Sequence, residues 1–303
     1  MSVTLDSPVP SPRVSVIVRC FNEALHLGTL LASIADQTVR DVEVIIVDSG
    51  STDGTLEIAG SHDTRIFHIK PEDFTFGRSL NVGCAQARGE FLVLASAHVI
   101  PCERDWIERL IAPFADPLVS LTYGRQVGHS TSKFSECRLF GQQYPATSNL
   151  DQKIPFCNNA NAAVRRAHWQ EHPYDESLTG LEDVAWGRRV LASGHRIAYV
   201  AEAAIVHIHD ETPARVRHRY EREAIALRRI VPDSHMYLQE FLWLAWRQVW
   251  GDLVAMIRER RTLLLAPEIV MFRTMQYWGT FRGMNFRSPV TQQLLQQFYY
   301  PED

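Results

Sequence analysis

The stretch VEVIIVDSGSTDGT, residues 42–55, does most to decide the fold of this 303-residue chain. Its first six residues are mainly valine and isoleucine, the composition of a parallel strand that is covered on both faces. Asp48 therefore stands at the carboxyl end of a buried strand, which is the edge where α/β sheets bind ligands. The Ser-Gly-Ser turn allows a ligand to approach the backbone closely. A helix is predicted over residues 52–60, with Asp53 in its first turn.

Short apolar runs alternate with helical patterns on both sides of this stretch. This β-α-β-α order predicts a right-handed, mostly parallel sheet between layers of helices. From residue 120 onward the pattern loosens into a mixed second half. The predicted strands are 14–18, 42–47, 65–69, 91–96, 119–127, 159–164 and 196–200, and the predicted helices are 23–35, 52–60, 78–87, 104–114 and 182–192.

The chain becomes helical after Thr212. Helices are predicted over 216–230, over 237–261, and from Pro267 to about Gly283, and the second of these has an apolar stripe with helical spacing. The predicted division of the chain is a disordered lead (1–13), an α/β domain (14–212) and a C-terminal helical region (213–303).

Composition excludes several classes of protein. Hydrophobic residues make up 46% and charged residues 22%, as in ordinary globular proteins, and the net charge of −4 gives no basic field for nucleic acid. Five scattered cysteines without a Cys-X-X-Cys spacing indicate reduced thiols and a cytoplasmic protein. The N-terminus lacks the apolar core of a signal peptide, and no apolar run reaches the ~18 residues of a transmembrane helix.

Five sequence blocks resemble the family 2 glycosyltransferases in their order and spacing, over about two thirds of the chain. The resemblance implies a GT-A type, nucleotide-binding α/β/α sandwich with a mostly parallel central sheet and a C-terminal helical extension. It also implies a nucleotide-sugar half (14–119) and an acceptor half (120–212). The blocks are VSVIVRCFNE (14–23), VEVIIVDSGSTDGT (42–55), FGRSLNVGCAQARGEFLVLASAH (76–98), GLEDVAWGRRVLASGHRIAYV (180–200) and AIVHIHD (204–210).

The resemblance implies that a nucleotide-diphosphate sugar binds at the ends of the first strands. The positive charge of Arg78 would suit the diphosphate. In the alternative interpretation Asp48 closes a turn, Asp53 caps a helix and Arg78 forms a surface ion pair. The candidate nucleotide-sugar contacts are Cys20, Asn22, Glu23, Asp48, Ser49, Arg78, Ser96 and Ala97.

The chain departs from the family at its metal motif, where Ser96-Ala97-His98 replaces Asp-X-Asp. Mg²⁺ prefers oxygen ligands, whereas imidazole shifts the preference toward Mn²⁺, Zn²⁺ or other transition ions. The family commonly has a metal-binding histidine near His207 and His209, and residues two apart on an extended segment face the same way. We expect a divalent cation, Mn²⁺ or Mg²⁺, at His98, His207 and His209. The alternative is that these side chains only form hydrogen bonds and the enzyme needs no metal.

Glu182 and Asp183 begin a predicted helix, where acidic residues are favourable for the helix dipole alone. The resemblance implies that this pair faces the acceptor and that Asp183 is the catalytic base. An inverting transfer needs one carboxylate to deprotonate the acceptor hydroxyl. The amides of Asn158, Asn159 and Asn161 can donate and accept, so they are candidate acceptor contacts, with turn formation as the alternative.

The C-terminal helices combine tryptophan with arginine. Such a pattern is typical of a helix on a membrane surface. The alternatives are packing on the catalytic domain and contact with a second copy in a homodimer. The residues are Trp243, Trp246, Trp250 and Trp278, with Arg247, Arg258, Arg260 and Arg261.

The sequence therefore predicts an inverting glycosyltransferase that uses a UDP- or dTDP-linked sugar. By analogy with the family, its acceptor is a glycan or lipid-linked glycan in surface polysaccharide or lipopolysaccharide assembly, at the inner face of the membrane. A sugar-phosphate nucleotidyltransferase is disfavoured because RCFNEALHLG, residues 19–28, is not a Gly-rich triphosphate loop. Loss of the metal-site carboxylates is the one feature that favours a non-catalytic nucleotide-sugar-binding relative.

Overall fold

A nine-stranded sheet forms the centre of the computed structural model, which describes residues 12–300. Residues 1–11, most of the predicted disordered lead, and 301–303 lie outside the described part. The strands are β1 (Val14–Cys20), β2 (Val42–Asp48), β3 (Thr64–His68), β4 (Phe91–Ser96), β5 (Val99–Pro101), β6 (Val119–Gly128), β7 (Asn149–Gln152), β8 (Asn161–Arg165) and β9 (Arg196–His207).

Eleven α-helices surround this sheet within the described residues. Seven of them precede the end of β9, and the last four form the C-terminal region. They are α1 (Leu27–Ala35), α2 (Thr55–Gly60), α3 (Phe76–Gln86), α4 (Trp106–Ile111), α5 (Phe134–Gln143), α6 (Arg166–Glu171), α7 (Glu182–Ala192), α8 (Pro213–Ile230), α9 (Leu238–Arg258), α10 (Ala266–Met284) and α11 (Gln292–Tyr299).

The sheet order is β3-β2-β1-β4-β8-β6-β9-β5, with β7 also paired to β9. The first four strands of this order are parallel, as the β-α-β-α pattern predicts. Beyond β4 the sheet is mixed, since β8 is antiparallel to both β4 and β6 whereas β6 and β9 are parallel. The predicted α/β class with a parallel first half of the sheet is confirmed.

Two apolar cores cover the two faces of the sheet. Successive residues of β1 alternate between them, with Val16 and Val18 in one core and Ile17 in the other. Helices α1, α2 and α4 contribute to the first core, and α3, α5, α6 and α7 to the second. This three-layer arrangement is why β1 and β2 are apolar on both faces.

Helix α3 approaches the sheet closely at Gly83, where a Cβ atom would lie 2.4 Å from Cγ2 of Ile17. We expect Gly83→Ala to lower the free energy of unfolding by about 1–3 kcal/mol, because a buried overlap forces the helix away from the sheet. Gly141 is the matched control, since it is also helical and a Cβ there would meet no atom within 4 Å. Gly141→Ala should be neutral or stabilising. Equal denaturation midpoints for the two variants would contradict the close packing.

Two helices begin later than the sequence predicts. Helix α1 begins at Leu27 instead of residue 23, because Asn22 has a left-handed φ of 54° that turns the chain. Helix α2 begins at Thr55 after Gly54, which has a φ of 92°. Asp53 therefore lies before the helix and not in its first turn, where it accepts hydrogen bonds from the backbone N–H and hydroxyl of Thr55.

The second half of the sheet differs most from the prediction. The predicted strand 196–200 continues to residue 207, so His207 lies in β9 and not after the last strand. The predicted helix 104–114 is divided into α4 and a 3-10 turn at Ala112–Ala115. The sequence interpretation also misses β5, β7, α5, α6 and α11, which are short or lack a clear apolar period.

The C-terminal helices pack back on the sheet domain. Helix α8 packs against α10, where Gly279 leaves no space for a Cβ beside the carbonyl oxygen of Arg217. After α11, the hydroxyl of Tyr300 donates to the carbonyl oxygen of Ser49 at 3.2 Å. Among the helices described, none combines the length and the apolar character needed to cross a membrane.

Candidate active site

Four strand ends bring the candidate residues to one edge of the sheet. The register pairs Cys20 at the end of β1 with Asp48 at the end of β2. The N–H of Ser96, at the end of β4, lies 3.4 Å from the carbonyl oxygen of Ala160 just before β8. The site therefore begins where parallel strands end, as expected for an α/β sheet.

Three histidines come together beside this edge. His98 follows β4, His207 ends β9 and His209 follows two residues later. The closest nitrogens of the three rings all lie within 4.8 Å of one another. The sequence therefore identifies three residues that the fold brings into one cluster.

Each of these imidazoles has its Nδ1 atom against a side-chain oxygen. The contacts are His98 to Glu23 at 2.7 Å, His207 to Gln126 at 2.7 Å and His209 to Glu136 at 2.8 Å. A carboxylate or amide oxygen can only accept, so Nδ1 carries the proton and Nε2 of a neutral ring keeps its lone pair. This is the arrangement by which outer side chains orient metal-binding histidines.

The spacing of the histidines fits a metal ion. The Nε2 atoms of His207 and His209 are 3.1 Å apart. Two nitrogens bound to one ion at about 2.1 Å each would be separated by roughly this distance. His207 is buried, and this burial together with His209 and His98 lowers its pKa, which favours the neutral, metal-binding form. The three side chains are therefore suited to a divalent transition ion.

Glu136 is an anchor of this cluster that the sequence interpretation missed. It lies on α5 and is buried, and its Oε1 atom also accepts from Arg219 at 2.7 Å. Burial alone would raise the pKa of Glu136, but the hydrogen bond from His209 and the charge of Arg219 outweigh it and lower the pKa to about 2. The carboxylate therefore remains charged and holds His209 in place.

Glu182 and Asp183 open helix α7 and are both buried. One oxygen of Asp183 accepts from the N–H of Val184 at 2.7 Å and the other from the N–H of Asn159 at 3.3 Å. Asn159 directly precedes Ala160, and the carbonyl oxygen of Ala160 accepts from the N–H of Ser96 at the end of β4. The carboxylate thus lies near the segment that carries His98.

The electrostatic environment of Asp183 suits a base. Burial and, next, the neighbouring Glu182 carboxylate raise the pKa of Asp183 to about 7. Glu182 is held by Arg19 at 3.4 Å and by the side-chain amide of Asn159 at 3.3 Å. A carboxyl group with a pKa near neutrality can accept a proton efficiently from a substrate.

Helix α8, which the sequence predicts as a helix over 216–230, also contributes to this site. The guanidinium of Arg222 lies 4.5 Å from the ring centroid of Phe76, and Arg19 lies over the same ring at 5.1 Å. Burial raises the pKa of Glu223, which also acts on Asp183 through its charge. The arginine-rich sequence of α8 was the available signal, but it does not indicate where the helix packs.

The candidate nucleotide contacts form an ordered loop pair. Asp48 accepts from the N–H of Gly50 at 2.9 Å and of Ser51 at 3.2 Å, so it closes the turn. The side-chain oxygen of Asn22 accepts from the N–H of Thr52 at 2.8 Å. The buried thiol of Cys20 has its pKa raised by burial and then by the nearby carboxylates.

Three of the predicted nucleotide contacts are placed differently. Glu23 directs a carboxylate oxygen toward His98. Ser49 is buried and its hydroxyl donates to the carbonyl of Cys20 at 3.4 Å. The side chain of Ala97 packs in the first core. These three side chains make contacts within the protein, and their roles in nucleotide-sugar binding stay predictions.

The two other contacts keep exposed surface. Ser96 is partly exposed. Arg78 is about half exposed, and its guanidinium lies 4.0 Å from Asp73. The surface ion pair considered as the alternative for Arg78 is therefore present at the limit of contact. Arg78 lies near the start of α3 and Ser96 at the end of β4, and both are beside the site.

The asparagine cluster is likewise used largely within the protein. Asn161 is fully buried, and its side-chain amide bonds to Trp106, Arg125 and Ala203. Asn159 is buried against Glu182. Asn158 is partly exposed, although its side-chain oxygen accepts from the N–H of Ala160 at 2.9 Å. Asn158 alone of the three keeps surface for an acceptor.

Comparison with known proteins is consistent with this geometry. Residues 15–172, just over half of the chain, match the profile described as Glycosyl transferase family 2. The chain is 27% identical to the O-antigen chain rhamnosyltransferase RfbN of Salmonella typhimurium, over 69% of this chain and 70% of that protein. It is 30% identical to the O-antigen chain rhamnosyltransferase WbaN of Salmonella anatum, over 61% of this chain and 62% of that protein. The matched region thus covers less than two thirds of the second relative.

Solved structures support the fold assignment. A mannosyltransferase from Pyrobaculum calidifontis in complex with GDP-Man and Mn2+ superposes with a TM-score of 0.60 and 20% identity, covering 97% of this chain and 89% of that one. The S. aureus TarS 1-349 structure in complex with UDP-GlcNAc gives a TM-score of 0.57 and 17% identity, covering 89% and 90%. At these identities the likeness concerns the α/β/α architecture alone.

Proposed function

This chain belongs to glycosyltransferase family 2, and we propose that it is an inverting enzyme that transfers a sugar from a UDP- or dTDP-linked donor to an acceptor hydroxyl. The observation that carries the proposal is the convergence of a buried carboxylate, Asp183, and three histidines at the same edge of the sheet. Such an edge, with residues for proton transfer and for holding an ion, is what sugar transfer from a diphosphate requires.

Asp183 is the proposed base. Its carboxylate takes the proton of the acceptor hydroxyl while the hydroxyl oxygen bonds to the anomeric carbon. The bond from that carbon to the diphosphate oxygen breaks on the opposite face, and the nucleoside diphosphate leaves with the electron pair. A single displacement of this kind inverts the anomeric centre and uses one carboxylate, unlike the two of glycoside hydrolases.

The leaving diphosphate faces the histidine side of the site in this proposal. The Nε2 atoms of His98, His207 and His209 would hold the divalent cation, with Glu23 and Glu136 fixing two of the rings. A bound cation supplies charge neutralisation to the leaving group. Neutral imidazoles favour Mn²⁺ or another transition ion over Mg²⁺. Arg78 is proposed as a further positive charge for the diphosphate.

The relatives favour a particular donor and acceptor class. Two of them are named O-antigen chain rhamnosyltransferases, so we infer a deoxyhexose such as rhamnose as the transferred sugar. A growing surface glycan, free or lipid-linked, is the corresponding acceptor, with Asn158 at its edge. The five free cysteines suit the reducing cytoplasm. We therefore place the reaction at the cytoplasmic side of the membrane.

The nucleotide half of the proposal can be tested at Asp48. We expect UDP and dTDP, assayed by calorimetry with Mn²⁺, to bind wild-type protein and to lose on the order of tenfold in affinity in Asp48→Asn. The amide oxygen can still accept from Gly50, which keeps the turn. Asp41→Asn, a substitution in the loop before β2, is the control. Unchanged affinity in Asp48→Asn would reduce Asp48 to a turn residue.

A panel of donors then tests the reaction itself. Wild-type protein supplied with dTDP- and UDP-linked sugars and a glycan acceptor should release nucleoside diphosphate in an acceptor-dependent manner. A non-catalytic nucleotide-sugar-binding protein would bind the same donors and release none. Release that needs no acceptor and forms no new glycosidic bond would indicate hydrolysis and contradict the proposed transfer.

A further inference from the structure

Helix α9 carries an exposed apolar surface that the proposed reaction does not use. Trp243, Trp246 and Trp250 are 53%, 63% and 59% exposed, so these rings are not packed on the catalytic domain. Leu242 and Ile257 are likewise exposed. At 100° per residue these five side chains span about 100° of the helix circumference. We call them the tryptophan stripe.

The opposite face of α9 is firmly attached to the protein. Phe241, Ala255 and Met256 are buried there. Asp252 is 1% exposed and binds Arg138 of α5 at 2.8 Å and Arg273 of α10 at 2.7 Å. A charged group this deeply buried and paired fixes the rotation of the helix, because breaking such a pair is costly. The tryptophan stripe is therefore held outward by the fold.

Apolar exposure continues beyond the end of the helix. Leu263 and Leu264 are 70% and 86% exposed. They follow the sequence RERRT, residues 258–262. Soluble monomers rarely expose so many large apolar side chains along one short segment, and such patches mark interaction sites.

The charges near the tryptophan stripe indicate its partner. Arg247 lies over the ring of Trp243, 4.5 Å from its centroid. Arg258, Arg260 and Arg261 are exposed at the C-terminal end of the helix. The chain as a whole has a net charge of −4, so this basic border is a local feature. Tryptophan and leucine beside arginine match the acyl boundary and the anionic headgroups of a lipid surface.

We propose that α9 docks on an anionic lipid surface, with the tryptophan stripe in the headgroup–acyl boundary and Arg258, Arg260 and Arg261 on the headgroups. A second copy of the chain is a poorer occupant. In a two-fold dimer the same patch meets itself, so the arginines of its border would face apolar side chains or arginines of the other copy and no anionic surface. The proposal does not depend on the identity of the transferred sugar.

The docking also has a consequence for the active site. Arg138, which binds Asp252, lies two residues after Glu136 on α5, and Glu136 holds His209. One helix therefore separates the histidine cluster from the helix that contacts lipid. The sheet edge would be held at a fixed height above the surface, where an acceptor anchored in lipid is found.

Vesicle flotation tests this surface with the full chain. Wild-type protein should float with vesicles of phosphatidylglycerol and phosphatidylcholine, and bind pure phosphatidylcholine more weakly. Trp246→Gln/Trp250→Gln should lose at least roughly tenfold in partitioning to both. Arg258→Gln/Arg260→Gln/Arg261→Gln should lose roughly fivefold per arginine on anionic vesicles only, with a flatter salt dependence. Leu118→Gln/Leu150→Gln, also at exposed leucines, is the matched control and should float like wild type.

A second measurement needs no variant and so is independent of folding. Tryptophan fluorescence of the wild type should shift to shorter wavelength on adding anionic vesicles and be quenched by brominated lipid. Failure of the wild type to float and to shift would overturn the proposal. So would a concentration-dependent dimer in sedimentation equilibrium that the tryptophan variant abolishes while vesicle binding is absent, because this would assign the stripe to a second copy.

Discussion

Asp183→Asn should reduce the rate of sugar transfer by on the order of 100-fold or more while leaving donor affinity nearly unchanged. The amide has the shape of the carboxylate and can still accept from the N–H of Val184, so α7 keeps its start. It has no basic oxygen that could take a proton from the acceptor. Transfer kinetics and calorimetry on the same preparation measure the two quantities. A variant with wild-type turnover would assign the base to another residue.

The pH dependence of the rate provides a second readout of the same group. Burial and Glu182 raise the pKa of Asp183 to about 7, and the base must be ionised to work. The wild-type rate should therefore fall as the pH is lowered through about 7. The residual rate of Asp183→Asn should lack this step. A wild-type profile that is flat between pH 6 and 8 would contradict the proposed role.

Protein stability separates a lost base from a damaged fold. Because the folded-state pKa of Asp183 is raised, the native protein holds its proton more tightly than the unfolded chain does, and ionisation at higher pH disfavours the fold. Asparagine resembles the protonated acid. Asp183→Asn should therefore be at least as stable as the wild type at pH 8, measured as the thermal midpoint, although it is almost inactive.

The second large effect is expected at the histidine cluster. His207→Ala removes one of three converging nitrogens, so we expect affinity for Mn²⁺ to fall by on the order of 100-fold and transfer to need correspondingly more metal. Glu136→Gln keeps all three ligands but weakens the hydrogen bond that orients His209. We expect its affinity for Mn²⁺ to fall roughly tenfold. Calorimetric titration with Mn²⁺ measures both without any assay of transfer.

A remote histidine controls for nonspecific binding. His235 is exposed and lies outside the cluster, so His235→Ala should bind Mn²⁺ as the wild type does. Equal Mn²⁺ affinity in all four proteins would show that the cluster holds no ion. Full transfer in the presence of a chelator would likewise support the metal-independent alternative, in which His98 and Arg78 face the diphosphate directly.

The sequence predicts the sheet well where its signal is local. Strands β1, β2 and β4 are buried over most of their length, so each contains a run of mainly apolar residues that can be identified by inspection. The predicted starts of helices α1 and α2 were less accurate, because each start depends on a single residue with a left-handed backbone conformation, Asn22 or Gly54. Helix α5 was missed because its buried face includes the polar residues Ser135 and Glu136, so its sequence shows no clear apolar stripe.

In the candidate site, too, the sequence predicts what depends on local motifs and misses what depends on tertiary packing. His98, His207 and His209 could be proposed from their positions in motifs, and the structure brings them together. Their anchors could not, because Glu136 and Gln126 lie 73 and 81 residues away from the histidines they hold. Only tertiary packing places such pairs. The same packing buries Asn161, whose side-chain amide donates to the carbonyl oxygens of Arg125 in β6 and Ala203 in β9.

The sequence also could not predict that the tryptophan stripe is exposed. An apolar row at helical spacing is the same whether it faces a core, a second copy or a lipid surface. The structure shows which face of α9 is buried. Asp252 lies opposite the tryptophan stripe and pairs with Arg138 and Arg273, so its face packs on the protein and the stripe faces outward. Neither arginine lies on α9 itself.

The most direct test of the central claim is an anomalous-scattering map from crystals grown with Mn²⁺ and a nucleoside diphosphate, UDP or dTDP. We predict a single strong manganese peak about 2.1–2.3 Å from Nε2 of His98, His207 and His209, with diphosphate oxygens completing its coordination. The nucleobase should lie beside Asp48. A peak between Glu136 and Glu211, which with His209 form another group of potential ligands, would contradict this site. So would a nucleotide bound at the strand ends without manganese at the three histidines.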